Sequence, residues 1–175
     1  MKQVSKLTLS AMMASLATAF MLLSYFPYLT YAIPAMAGLF IMVLVIEIDV
    51  KWAFAGYLTS AVLTFLFAEP ESKLMYIFLF GFYPIVKALI EKLRKPVIEW
   101  IIKLCVFLAS VLSVYYVFAG LFGITLEDID ILGKYGIVIL LASGAVVFVL
   151  YDIAVSRIAT MYMHILHTKI KKIFK

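Results

Sequence analysis

Charged residues and cysteine are scarce in this chain of 175 residues. Only 14% of the residues are charged, whereas a soluble domain contains about 25%. This deficit excludes an ordinary soluble domain. Cys105 is the single cysteine and lies within a long apolar run. Because it has no second cysteine as a partner, a disulfide framework and a thiolate metal site are excluded.

Residue patterns that carry enzyme chemistry are also missing. The sequence contains no HExxH zinc motif, no Gly-rich phosphate loop, no Asp-rich diphosphate motif and no nucleophile–base pair at a credible spacing. His164 and His167, the only histidines, have no nearby cysteine or acid to complete a metal site, and we interpret them as interfacial side chains. We therefore predict that the chain is not an enzyme and holds no metal or cofactor.

Long apolar runs occupy most of the chain. A helix that spans a bilayer needs about 20 apolar residues, with a range near 17 to 25. The sequence therefore predicts an all-α integral membrane protein, a single bundle of about six transmembrane helices joined by short loops. The predicted spans are residues 4–27, 32–48, 52–68, 74–90, 97–122 and 135–163, and a basic juxtamembrane tail follows at 164–175.

Lys and Arg are concentrated in alternate connections between these runs. Of the 15 basic residues, 13 lie at the N-terminus, at Lys51, between residues 87 and 103, or from Arg157 onward. The opposite connections carry only Lys73 and Lys134. By the positive-inside rule the basic side is cytoplasmic, and an even number of spans places both termini there. We predict a multi-pass protein of the cell membrane, and specifically of a bacterial plasma membrane.

The first run also has features of a secretory signal peptide. Lys2 and Lys6 precede it, and residues 17–19 resemble a cleavage site. The apolar run continues beyond that point to Leu23, so we predict a retained first helix.

At the other end, the tail combines lysines with apolar residues, which favours binding to anionic lipid headgroups over binding to nucleic acid.

Small residues recur at a four-residue spacing along the first run. Residues four apart lie on one face of a helix, and small ones allow another backbone to approach closely. The face therefore predicts a partner helix, either within this bundle, which the pattern alone slightly favours, or in another subunit. The two rows are Ser10, Ala14 and Thr18, and Ala11, Ser15 and Ala19.

Aromatic residues crowd the predicted outer half of the bundle. An aromatic belt at the membrane interface accounts for many of them, but a small-molecule site would be lined by the same residue types. Both interpretations stay open. The predicted outer connections carry five acids against two lysines, which favours a neutral or cationic ligand over a polyanion.

Charged residues within the predicted spans are few. Lys87 with Glu91, and Glu99 with Lys103, have the spacing of exposed i,i+4 pairs, which contribute about 0.2–0.5 kcal/mol each. We place Asp152 close to the cytoplasmic boundary. Because no carboxylate lies clearly at the midplane, a proton- or sodium-driven carrier would lack its coupling residue.

The chain resembles the substrate-binding S component of an energy-coupling factor (ECF) transporter in length, in its six spans, in its cytoplasmic ends and in the small-residue face of the first helix. The resemblance implies capture of a vitamin-like small molecule from outside and docking, through that face, on a transmembrane coupling subunit with two ATPases. It does not single out one substrate. The substrate-binding residues that it implies are Tyr28, Tyr31, Glu69, Tyr76, Tyr115 and Tyr116.

A structural membrane scaffold of the cell-shape type is the alternative. Such proteins share the length, the number of spans and the lack of catalytic residues. Neighbouring genes for coupling ATPases would favour the importer, and neighbouring cell-wall genes would favour the scaffold.

Overall fold

The computed structural model describes residues 3–26, 28–122 and 136–165, and every regular element within these ranges is helical. The α-helices are α1 (Gln3–Leu22), α2 (Ala32–Glu47), α3 (Val50–Phe67), α4 (Pro70–Met75), α5 (Tyr83–Ile90), α6 (Pro96–Phe122) and α7 (Gly136–Ile165). A π-helical turn, Tyr76–Phe80, joins α4 to α5, and 3₁₀ turns follow α1 (Leu23–Tyr25) and α5 (Glu91–Leu93).

Within the described ranges, five helical segments are long and apolar enough to cross a membrane. They are Gln3–Tyr25, Val50–Phe67, Pro70–Leu93, Pro96–Val117 and Leu141–Ile165. The remaining helix, Ala32–Glu47, is apolar but shorter, at 16 residues. The predicted all-α, multi-pass membrane bundle is thus confirmed. The predicted outer connection between the last two spans, which carries three of the five outer acids, and the tail from residue 166 lie outside the described residues.

Helices α1, α2 and α3 form the packed centre of the described bundle. Leu9 of α1, Leu44 of α2 and Tyr57 of α3 belong to one buried cluster. Gly56 faces Leu44 so closely that a β-carbon at residue 56 would collide with the leucine side chain. The small residue at this crossing lets the helices approach closely. This is expected in a membrane, where van der Waals packing and not the hydrophobic effect drives helix association.

The helical segment Pro70–Leu93 is broken at its centre, and we call it the broken helix. Pro84 has no N–H, so the carbonyl of Phe80 lacks its usual helical donor. Just before the break, the backbone N–H of Gly81 donates to the Tyr76 carbonyl oxygen, five residues earlier, at 2.7 Å, and this bond closes the π turn. Gly38 of α2 packs against the Phe80 carbonyl, and a β-carbon there would collide with it. Such π turns are frequent at functional sites.

The orientation across the membrane can be tested by cysteine labelling from outside intact cells. The exposed Cys105 is first replaced by Ala, and Cys is then introduced at Glu71 or at Lys95, both of which are exposed. We expect a membrane-impermeant maleimide to modify the Glu71→Cys variant and not the Lys95→Cys variant, because the basic connection is predicted to be cytoplasmic. The reverse pattern would contradict the predicted topology.

Candidate functional site

A cavity of about 470 Å³ lies between the broken helix, α6 and α7. Its walls are almost entirely apolar and aromatic, and its volume falls within the range of about 300–1,000 Å³ that is usual for small-molecule sites. Residues that line it include Tyr31, Met75, Leu79, Phe80, Phe107, Val111, Ser143, Gly144, Phe148 and Tyr151.

Ring contacts hold the cavity wall in place. Phe107 of α6 stacks on Phe148 of α7 with 4.8 Å between ring centroids. Phe80 of the π turn meets Tyr151 of α7 edge-on at 4.9 Å. Such pairs contribute about 0.5–1.5 kcal/mol beyond area burial, so three separate helical segments are joined by rings that also face the cavity.

The Tyr151 hydroxyl is buried and has no hydrogen-bond partner in the described structure. It lies beside Gly38, where a β-carbon would come within 3.1 Å of it. A buried polar group without a partner costs about 1–3 kcal/mol. Tyr151, a residue of a largely apolar wall, therefore carries an unpaired hydroxyl that is both a donor and an acceptor.

A buried ionic cluster adjoins the cavity. Asp152 of α7 is 3% exposed, and its Oδ1 accepts a hydrogen bond from the Tyr83 hydroxyl at 2.5 Å and forms an ion pair with Lys87. Its Oδ2 lies 3.0 Å from the Nζ of Lys103 on α6. The Tyr83 ring also packs edge-on against Phe148 of the cavity wall, at 4.9 Å between centroids. We call Tyr83, Lys87, Glu91, Lys103 and Asp152 the ionic cluster.

The structure corrects the interpretation of the charged residues as exposed local pairs. Lys87 does pair with Glu91, at 2.7 Å, but its side chain is buried. The predicted pairing of Glu99 with Lys103 is wrong, because Lys103 bonds Glu91 and Asp152, whereas Glu99 accepts from the backbone N–H of Lys95 at 3.0 Å. One signal in the sequence could have found the cluster: two lysines and one aspartate lie inside three different apolar runs.

Tyr31 is the predicted site residue that lines the cavity. Its hydroxyl donates to Glu71 Oε2 at 3.4 Å. Partial burial, and secondly the Glu71 carboxylate, raise the pKa of Tyr31, so the phenol stays protonated at neutral pH and remains a donor. The predicted site residue Glu69 lies two residues before Glu71 in the chain, and it accepts a hydrogen bond from the Ser72 hydroxyl at 3.0 Å.

The other four predicted tyrosines lie elsewhere in the described structure. Tyr76 is fully buried, and its hydroxyl shares a hydrogen bond of 2.7 Å with Ser60 of α3. Tyr28 is 99% exposed and has a left-handed backbone, with φ of 72°. Tyr115 and Tyr116 contact one another at 5.6 Å between centroids, and Tyr116 is exposed. The structure thus brings Tyr31 to the cavity and keeps these four outside its lining.

The two small-residue rows of α1 face in different directions. Ser10 and Ala14 are buried inside the bundle, and Thr18 is partly buried. In contrast, Ala11, Ser15 and Ala19 are exposed. The first row therefore packs within this chain, and the second row remains available to another helix. Residues that line the exposed groove are Leu7, Thr8, Ala11, Met12, Ser15 and Leu16.

The geometry of the site is the basis on which its function has to be inferred. No family model, no curated protein and no solved structure matches the chain. Within the described ranges, no three His, Cys, Asp or Glu side chains are grouped so that they could hold a metal ion.

Proposed function

We propose that this chain is the substrate-binding membrane subunit of an ATP-driven importer of vitamin-like small molecules, similar to the S component of an ECF transporter. The observation that supports it best is the aromatic cavity between the broken helix, α6 and α7. A volume near 470 Å³ suits a small organic solute, and a helix break at the wall is a common feature of membrane binding sites.

The cavity lining favours a neutral or cationic solute with a flat, apolar body. The rings of Phe80, Phe107 and Phe148 offer stacking surfaces, and aromatic faces also attract cations. Tyr31 at the wall contacts Glu71, which places a carboxylate near the same end. A polyanion would find no cation among the lining residues that the structure describes.

The exposed row of α1 supplies the second part of the proposal. Ala11 and Ser15 line a shallow groove in which a helix backbone of a transmembrane coupling subunit can lie, and Ala19 continues the exposed row one turn further along α1. That subunit would carry two ATPases, and ATP hydrolysis there would drive release of the solute inside. The sequence itself has no Gly-rich phosphate loop, which agrees with ATP being bound by the partners.

The docking part of the proposal predicts that Ser15→Leu will prevent co-purification of the ATPase subunits from the native host. The added bulk would separate the backbones that have to meet, whereas the variant should fold, because Ser15 is exposed and its hydroxyl bonds only the Ala11 carbonyl of the same helix, at 2.8 Å. The measurement is affinity purification followed by identification of the captured ATPases by mass spectrometry.

Thr59→Leu is the matched control for this experiment. Thr59 is also exposed and also bonds a carbonyl four residues earlier, Ala55, but it lies on α3. The control should keep the ATPases. Ala14→Leu, on the buried row, should instead destabilise the chain by about 1–3 kcal/mol through overpacking. Capture of the ATPases by Ser15→Leu, or their absence from the wild-type preparation, would contradict the proposal.

A further inference from the structure

Two buried lysines of the ionic cluster converge on a single carboxylate oxygen. The Nζ atoms of Lys87 and Lys103 lie 2.7 Å and 3.0 Å from Glu91 Oε1. Both lysine side chains are buried, and Asp152 holds both ammonium groups from the other side. The lysines are therefore fixed in position, and both ammonium groups bind the one carboxylate oxygen that Glu91 places between them.

Glu91 is the exchangeable member of this cluster. Its side chain is 44% exposed, whereas Asp152 is buried. It also begins the short 3₁₀ turn Glu91–Leu93, after which Arg94 adopts a left-handed conformation with φ of 53°. If Glu91 moves into water, two lysines remain against one aspartate, and a buried net positive charge is costly. An incoming oxyanion would restore neutrality.

The surroundings of Glu91 favour an anionic lipid. Lys92, Arg94 and Lys95 are exposed beside it and create a positive surface potential. Trp100, an exposed residue of a type enriched at membrane interfaces, lies under Lys103, with Nζ 5.4 Å from the ring centroid. Basic sites between membrane helices are known to bind anionic headgroups.

We propose that Lys87 and Lys103 form a binding site for the phosphate of an anionic phospholipid headgroup, and that Glu91 is an internal ligand which the phosphate displaces. The site uses the end of the broken helix, α6 and α7, and it does not include the residues that line the aromatic cavity. It therefore does not depend on the chain being an importer.

The test uses the full chain, purified in detergent, with phosphatidylglycerol or phosphatidylcholine as the added lipid. The readout is the rise in melting temperature as lipid is titrated. Glu91→Gln removes the competing charge at nearly constant shape. We expect this variant to reach half of its maximal stabilisation at an about tenfold lower phosphatidylglycerol concentration than the wild type, because the carboxylate that binds both ammonium groups no longer competes with the phosphate. Phosphatidylcholine should have little effect on either.

Glu99→Gln is the matched control, since it changes the charge equally on the same surface and Glu99 contacts only the backbone N–H of Lys95. It should behave as the wild type does, and Lys103→Met should lose the response to phosphatidylglycerol. Equal gains in Glu91→Gln and Glu99→Gln would overturn the proposal in favour of general surface charge, even if Lys103→Met does not fold. If inorganic phosphate alone gives the same stabilisation, the ligand is a soluble oxyanion and the assignment to a lipid is wrong.

Discussion

Replacement of Asp152 by Asn is expected to lower the free energy of unfolding by about 3–5 kcal/mol. The carboxylate lies between two buried ammonium groups, and its loss leaves Lys87 and Lys103 with the half-exposed Glu91 as their nearby counter-charge. The amide of Asn keeps the size of the side chain, so the loss reports charge and not volume. Reversible unfolding in mixed detergent micelles measures it.

Two further variants separate the buried charge from a general effect of removing an acid. Asp49→Asn removes a partly exposed pair with Lys6 at 3.8 Å and keeps an N-cap residue for α3, so it should cost no more than about 1 kcal/mol. Asp152→Asn combined with Lys103→Met leaves Lys87 facing Glu91, and this balance of charge should recover part of the loss. Equal small losses for Asp49→Asn and Asp152→Asn would show that the ionic cluster does not stabilise the fold.

Gly144→Phe is expected to abolish binding of a solute in the aromatic cavity. Gly144 lies in the cavity wall, where a β-carbon would already be 3.2 Å from the Phe107 ring, so a benzyl group has to enter the cavity itself. Native mass spectrometry of the purified chain should find a co-purified small molecule with the wild type and none with the variant. Once the molecule is identified, a titration gives the loss of affinity directly.

Gly120→Phe is the control for the pocket-filling variant. Gly120 lies on α6 and is not part of the cavity lining, and among the described residues a β-carbon there would meet no atom within 4 Å beyond its own stretch of helix, so the same change in size falls outside the cavity. This control should keep the small molecule. Retention of the molecule by Gly144→Phe would show that it binds elsewhere, and absence of any molecule from the wild type would weaken the proposal of a binding subunit.

The cavity lining was only partly predictable from the sequence, for a physical reason. In a membrane protein apolar and aromatic residues face lipid, core and ligand alike, so no amphipathic stripe tells which side of a helix points inward. Tyr76 and Tyr31 look equivalent in the sequence, yet one is buried against Ser60 and the other lines the cavity. The π turn places Phe80 against Tyr151 of α7 and against Gly38 of α2, and both of these contacts are distant in sequence.

The ionic cluster was missed because spacing rules identify only local partners. The rule for i,i+4 pairs does find Lys87 with Glu91. It also suggests Glu99 for Lys103, but tertiary packing brings Asp152, 49 residues later, to within 3.0 Å of Lys103. Because Lys103 is buried, its ammonium group needs a counter-charge in the interior, and the buried Asp152 carboxylate supplies it.

The sequence by itself determined that this protein is an all-α membrane bundle, because apolar length and the lack of charge leave a hydrogen-bonded helix as the means of crossing lipid. Only the tertiary structure decided which small-residue row of α1 packs inward, which rings enclose the cavity, and which charges meet. Those choices depend on the rotation of each helix about its axis and on the break near Pro84. Both are settled by side-chain packing between segments far apart in the chain, which composition and periodicity do not record.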